Sequence, residues 1–254
     1  MPKLRFLGTG TSCGVPQLGC QCRVCRSADK RDKRLRTSAL YQADNGKQIL
    51  IDCGPDFRQQ MLPLPFRSID GVLITHEHYD HVGGLDDLRP YSYKKDIEIY
   101  ASAQCAEHLR MRMPYCFVEN KYPGVPMIDL HAVHDEQTIK VAGLCVQIIH
   151  VMHGLMPIFA YRIGDMAYIT DMSGISVDEK EKLNGVKVLI VNALRNKYHH
   201  SHQTLNDALH LIADVRPKQS YLIHMSHDIG LHEEVEKLLP ECVHLAYDGL
   251  ELAW

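Results

Sequence analysis

The run LITHEHYDHVGGL, Leu73 to Leu85, restricts this chain more than any other stretch. An apolar strand, Val72 to Ile74, ends there and delivers His76, His78, Asp80 and His81 into the following loop. A strand end fixes the backbone, and a short loop can then turn imidazoles and a carboxylate toward one point, as a metal site requires. Isolated histidines are ordinarily solvated or hydrogen-bonded core residues. Four ligand-type residues within six positions at a strand end point to a metal centre instead. The other histidines are also clustered: of sixteen in the chain, His150 and His153, then His199, His200 and His202, then His224 and His227 fall in three further short segments.

Cysteines form a second concentration, with four of nine lying between Ser12 and Cys25. The first 25 residues show no basic start followed by a long apolar run, and no later stretch approaches a membrane span, so a cytoplasmic protein with no membrane partner is expected. In a reducing compartment clustered thiols are read as metal ligands before disulfides. Cys20, Cys22 and Cys25 form a CxCxxC group that offers three thiolates but lacks the fourth ligand of a closed tetrahedral zinc site, and Cys13 is spare. The net charge of −3 gives no general attraction to nucleic acid or an anionic membrane. The basic run KRDKRLR, Lys30 to Arg36, is the local exception, read either as a solvated face or as an attractor of an anionic substrate.

No linker or internal repeat divides the chain, and residues 1–254 are expected to form one α/β domain. Strand patterns occur in KLRFLGT, KQILIDCG, GVLITH, IEIYAS, GLCVQIIHVMH, FAYRIGDMAYITD, VKVLIVNA, SYLIHMSH and HLAYDGLELAW, with Gly164-Asp165 and Asp248-Gly249 suited to hairpin turns. Helical patterns lie between them, among them GGLDDLRPYSY, AQCAEHLRMRM, LHEEVEKLL and HQTLNDALHLIADV, the last with an apolar stripe at Leu205, Ala208, Leu209 and Ile212. Two packed sheets with helices outside, an αββα sandwich, fit this order.

HxHxDH after a strand resembles the signature of the metallo-β-lactamase superfamily, and FLGTGTSCGVPQLGCQCRVC, ITDMSG, LIHMSH and YDGLEL extend the resemblance to its PhnP-type phosphodiesterases along the whole chain. The resemblance implies that His76 and His78 bind one active-site ion and that Asp80 and His81 bind a second, with His153, Asp171 and His224 completing the set. Asp171 would bridge two Zn²⁺ or Mn²⁺ ions, which can hold a hydroxide near neutral pH. His150 competes with His153, but residues three apart on a strand face opposite sides. Cys20, Cys22, Cys25 and His227 would hold a structural Zn²⁺ in a loop near 12–27. His202, just before the helix of HQTLND, matches a catalytic histidine and would protonate the departing alkoxide, with Asp80 also counted as catalytic. His199 and His200 are rivals in the same loop, and Arg195 and His200 are candidate phosphate contacts.

The expected activity is therefore two-metal hydrolysis of a small phosphodiester, such as a cyclic ribose or nucleoside phosphate, in a homodimer of the implied family type. Three alternatives stay open: a tRNA 3'-processing endonuclease, although its extra histidine motif and basic arm are missing and no large nucleic-acid partner is expected; a lactone or thioester hydrolase; and a non-catalytic zinc protein. Substrate choice would rest on loops at 121–126 and 155–159.

Overall fold

The computed structural model describes residues 1–134 and 136–254. Six strands come first: β1 (Lys3–Gly8), β2 (Ser38–Gln42), β3 (Gln48–Ile51), β4 (Gly71–Leu73), β5 (Ile97–Ser102) and β6 (Ile128–Val133). Eight follow: β7 (Thr138–Val141), β8 (Leu144–His153), β9 (Met156–Ile163), β10 (Met166–Ile169), β11 (Gly174–Ile175), β12 (Val188–Asn192), β13 (Gln219–Ile223) and β14 (Val243–Leu245). The last strand, β15 (Glu251–Ala253), returns to the first set. The two sheets run β15-β1-β2-β3-β4-β5-β6 and β11-β8-β9-β10-β12-β13-β14, with β7 added on β8.

In each sheet antiparallel strands lead into parallel ones, β3-β4-β5-β6 in the first and β10-β12-β13-β14 in the second. Parallel strands need crossovers and are covered on both faces, which explains why every residue of Val188–Asn192 and Gln48–Ile51 is buried. Alternation then divides the side chains. Ile49, Ile51 and Leu73 meet Ile148, Tyr161, Tyr168 and Ile190 between the sheets. Leu50, Val72 and Ile99 face outward under α1 (Phe57–Met61) and α3 (Ala103–Arg112). On the far side Leu189, Val191 and Leu222 lie under α5 (Leu205–Val215). The expected αββα order is the observed one. Between these helices lie the short α2 (Tyr79–Val82), α4 (Val177–Glu181) and, after β13, α6 (His232–Glu236). No helix among the described residues is long and apolar enough to cross a membrane.

Local chemistry sets the element ends. Thr204 caps α5 through a reciprocal box with Asp207, so His202 and Gln203 stay outside the helix, and its stripe buries Ala208, Leu211 and Ile212. The Gly164-Asp165 turn joins β9 to β10 as an antiparallel hairpin. Asp248-Gly249 does not: β14 pairs in the second sheet and β15 in the first, so this turn carries the chain between layers. GGLDDLRPYSY becomes a 3₁₀ helix over Leu85–Tyr91, tightened around Pro90. The basic run Lys30–Arg36 is not a solvated face throughout, because Asp32 and Arg34 are buried.

The sheets are also tied where the ligand loop begins. The amide of Phe159 on β9 donates to the carbonyl of Thr75 at 3.0 Å, and the buried Tyr161 hydroxyl donates to the carbonyl of Ile74 at 2.6 Å. Removing that hydroxyl strands a buried carbonyl, which costs about 1–3 kcal/mol. Tyr161→Phe should therefore lower unfolding stability by that amount in denaturant titration, and an unchanged midpoint would show that the cross-sheet bond contributes nothing.

Candidate metal centre

The centre lies where strand ends of both sheets meet. β4 leads into His76 and His78, α2 carries Asp80 and His81, His153 is the last residue of β8, and Asp171 and His224 follow β10 and β13. Three residues at these ends, Asp52, Asp171 and His224, have φ of 60°, 57° and 55°. A left-handed backbone costs a non-glycine residue about 1–2 kcal/mol, so surrounding contacts must hold each of them there.

Donor atoms of His76, His78 and His153 gather in one group, and those of Asp80, His81, Asp171 and His224 in a second, each within 4.8 Å. Asp171 joins the groups: its carboxylate lies 3.9 Å from His76 Nε2, 3.3 Å from His81 Nε2 and 3.1 Å from His224 Nε2. His78 is exposed, while the remaining members are buried, so it marks the mouth.

The hydrogen bonds behind the rings fix their tautomers. His153 Nδ1 faces two carbonyl oxygens, of Asp171 at 2.8 Å and Ser201 at 2.9 Å, and must carry its proton there, leaving Nε2 as a lone pair. His81 Nδ1 donates to Asp52 Oδ2 at 2.7 Å. The Thr75 hydroxyl gives its one proton to Asp52, so it can only accept from His76 Nδ1, at 3.0 Å. One buried carboxylate thus aims the Nε2 lone pairs of two histidines. Glu77, between His76 and His78, turns outward to His108 on α3 at 3.0 Å, and Arg112 holds the Glu77 carbonyl at 3.1 Å.

These donors fit a cation. Asp80 Oδ2, His81 Nε2, His202 Nδ1 and His224 Nε2 are buried atoms without a hydrogen-bond partner, an arrangement that is costly unless an ion satisfies them. Burial alone would raise the Asp171 carboxyl, but His224, His81 and His76 outweigh it and hold it well below the usual range. Burial opposes charge on His81 as well, yet Asp80, Asp171 and Asp52 push its pKa well up. Excess negative charge is thus focused on the atoms where a metal would replace that proton.

His202 adjoins the centre, its ring 4.6 Å from that of His153 and stacked 4.9 Å from His224, and its donor atom groups with His153 and Asp171. His200 is exposed and lies against His199 at 4.5 Å. Arg195 does not reach the centre: its guanidinium donates to the carbonyls of Lys197 at 3.2 Å and Tyr198 at 3.0 Å, holding its own loop, and lies 3.7 Å from Asp228. His150 faces away, edge-on to Phe159 at 5.2 Å. Separately, Cys20, Cys22, Cys25 and His227 bring one donor atom each within 4.8 Å. The Cys25 amide lies 3.4 Å from Cys22 Sγ and draws that thiol's pKa down, while burial pushes Cys25 up to about 11. Three thiols and an imidazole match a tetrahedral zinc set.

Sequence reasoning passed over Asp52, although it stands at the end of the strand pattern KQILIDCG, beside the ligand-bearing strand.

Comparisons with known proteins agree on the fold. A family model for the β-lactamase superfamily domain matches residues 47–225. A crystal structure described as a new diphosphatase from the PhnP family superposes with a TM-score of 0.92 at 39% identity, covering 99% of this chain and 96% of that one. Zinc-bound PqqB from Methylobacterium extorquens superposes at 0.81 over 99% of this chain and all of that one, with 20% identity, a likeness of fold alone. The octanoyltransferase of Porphyromonas gingivalis is 49% identical over 97% of this chain but only 50% of its own length. Coenzyme PQQ synthesis protein B of Rhodopseudomonas palustris is 35% identical over 43% of this chain and 39% of its own. The chain thus spans about half or less of the length of these curated relatives.

Losing the Asp52 carboxylate should free two ligand histidines to rotate and change tautomer. Asp52→Ala is expected to weaken metal binding at this centre by about 10–100-fold in chelator competition. An unchanged affinity would show that the rings need no such support.

Proposed function

Because the chain belongs to the β-lactamase superfamily and, within it, to the PhnP family, we propose that it is a metal-dependent hydrolase that cleaves a phosphoric bond in a small diester. The observation that carries this reading is the pair of adjoining donor groups joined through Asp171. The zinc-bound PqqB neighbour supports zinc in such a fold, and His and Asp ligands accept Mn²⁺ as well.

His76, His78 and His153 would hold one ion, and Asp80, His81 and His224 a second, with Asp171 shared. Such a pair supplies Lewis acidity toward phosphate oxygens and lowers the pKa of a water that attacks phosphorus. The protein's own part is to keep the Nε2 lone pairs of His76, His81 and His153 pointed inward through Thr75, Asp52 and the carbonyls of Asp171 and Ser201. Asp80 serves as a ligand in this scheme rather than as an acid or base. His202 flanks the same centre and is placed to give a proton to a departing oxygen. Burial and His224 push its pKa down to about 3, so that proton is supported only while an anionic phosphate lies against the ring. Cys20, Cys22, Cys25 and His227 would hold a structural zinc, which would fasten the N-terminal loop to the segment that follows His224.

Tyr79 beside His78 and Leu155 beside His153 are exposed, and they offer an apolar rim for the sugar or base of a cyclic ribose or nucleoside phosphate. A second reading is favoured by the PhnP-family diphosphatase: a nucleoside diphosphate, whose α-phosphorus, like that of a diester, has two of its four oxygens substituted and is open to the same displacement. The test is hydrolysis of bis-p-nitrophenyl phosphate, a ribose cyclic phosphate and a nucleoside diphosphate beside a β-lactam and a lactone, with Zn²⁺ or Mn²⁺ restored after chelation. Metal-dependent turnover of the phosphorus substrates alone is expected. Turnover of only the lactam or lactone would overturn the assigned chemistry.

A further inference from the structure

Three segments of the sequence, the glycine-rich GTGTSCG, the basic KRDKRLR and the C-terminal YDGLEL, converge around one buried cation. Arg34 is 3% exposed. One of its terminal nitrogens donates to the Thr9 hydroxyl at 2.9 Å and to the Ala246 carbonyl at 2.6 Å, and the other faces His232 Nδ1 at 3.4 Å. Thr9, fully buried, passes its single hydroxyl proton on to Asp248 Oδ1 at 2.8 Å. Asp248 also accepts the Leu35 amide, at 2.6 Å. Burial pushes the Asp248 carboxyl up to about 6, so it is ionised at neutral pH. Thr9 is therefore held between a cation that donates to it and an anion that accepts from it, and its rotamer has one satisfied choice.

The main chain on either side of Gly10 is what this arrangement fixes. The Met225 amide donates to the Thr9 carbonyl at 3.0 Å, and the Thr11 amide donates to the Met225 carbonyl at 3.1 Å. Met225 directly follows His224, whose φ of 55° needs outside support. The approach is close: a Cβ on Gly10 would stand 2.9 Å from the Arg34 backbone oxygen and from Arg34 Cβ, so glycine is required there. Arg34 also pairs its own amide and carbonyl with Val15, at 2.7 and 2.8 Å, on the way to the cysteine group, and His232 opens the helix that follows His227.

We propose that Arg34, Thr9 and Asp248 form a positioning relay that clamps residues 9–11 onto Met225 and thereby holds His224 in its metal-binding orientation. None of the three touches the donor groups, so they act through the backbone rather than as ligands or catalytic residues. The inference rests on the metal centre assigned above.

The test is zinc affinity of the histidine-aspartate centre, measured by chelator competition on the full chain, together with thermal melting of the metal-stripped protein. Thr9→Val keeps the shape and removes the relay proton; it should weaken zinc binding at least about tenfold. Thr9→Ser keeps the hydroxyl and should restore affinity to within about twofold of the unaltered chain, whatever either variant does to melting. Equal affinities for Val, Ser and the unaltered chain, or loss in Ser matching that in Val, would overturn the relay. Should Thr9→Val not fold, Asp248→Asn, which removes the anion from the acceptor end, is expected to show the same loss, and an unaltered affinity there would overturn it equally. No zinc binding by the unaltered chain would refute the metal centre itself, a distinct result.

Discussion

Everything in this molecule is arranged around a buried excess of lone pairs. Asp52, Asp80 and Asp171 lie within contact of His81, and each ring whose Nδ1 is held from behind turns its Nε2 toward the same space. Such a concentration of acceptors is unstable in a protein interior unless a cation compensates it. The two sheets bring the donors together, and the hydrogen bonds of Phe159 and Tyr161 across them keep the ligand loop of one sheet in register with the ligand strands of the other. The strained backbones of Asp52, Asp171 and His224 are the local cost of turning three strand ends inward.

Support for the centre comes in two layers of different character. Behind the rings, Asp52 and Thr75 act directly by holding protons on the nitrogens that must not face the metal. Farther out, the relay through Arg34 acts on main chain, and the cysteine group gathers the N-terminal loop and the segment after His224 into one place.

Legibility in the sequence followed locality. LITHEHYDHVGGL displays its ligands within six positions, and the αββα order could be read from alternating apolar runs and the stripe of α5, because each of these signals is local. His153 was separable from His150 by the two-residue period of a strand, and the structure turns them to opposite sides. What escaped depends on distant partners. Nothing local in KRDKRLR says that Arg34 meets Thr9 and Ala246, and a basic run looks like a solvated face until the fold buries its middle. Asp248-Gly249 has the composition of a hairpin, but the strands on its two sides belong to different sheets. Asp52 resembles any aspartate at a strand end until the histidine 29 residues later is placed against it. Arg195, near His202 in sequence, spends its donors on the carbonyls of its own loop.

The most direct test of this account is anomalous diffraction at the zinc edge from crystals of the protein grown with Zn²⁺. Two peaks separated by about 3.5–4 Å, one beside His76, His78 and His153 and one beside Asp80, His81 and His224, with Asp171 between them, are predicted. A third is expected within the cysteine group. Zinc confined to the cysteines, with the histidine-aspartate centre empty at saturating metal, would contradict the central claim that its buried lone pairs exist to hold a catalytic pair.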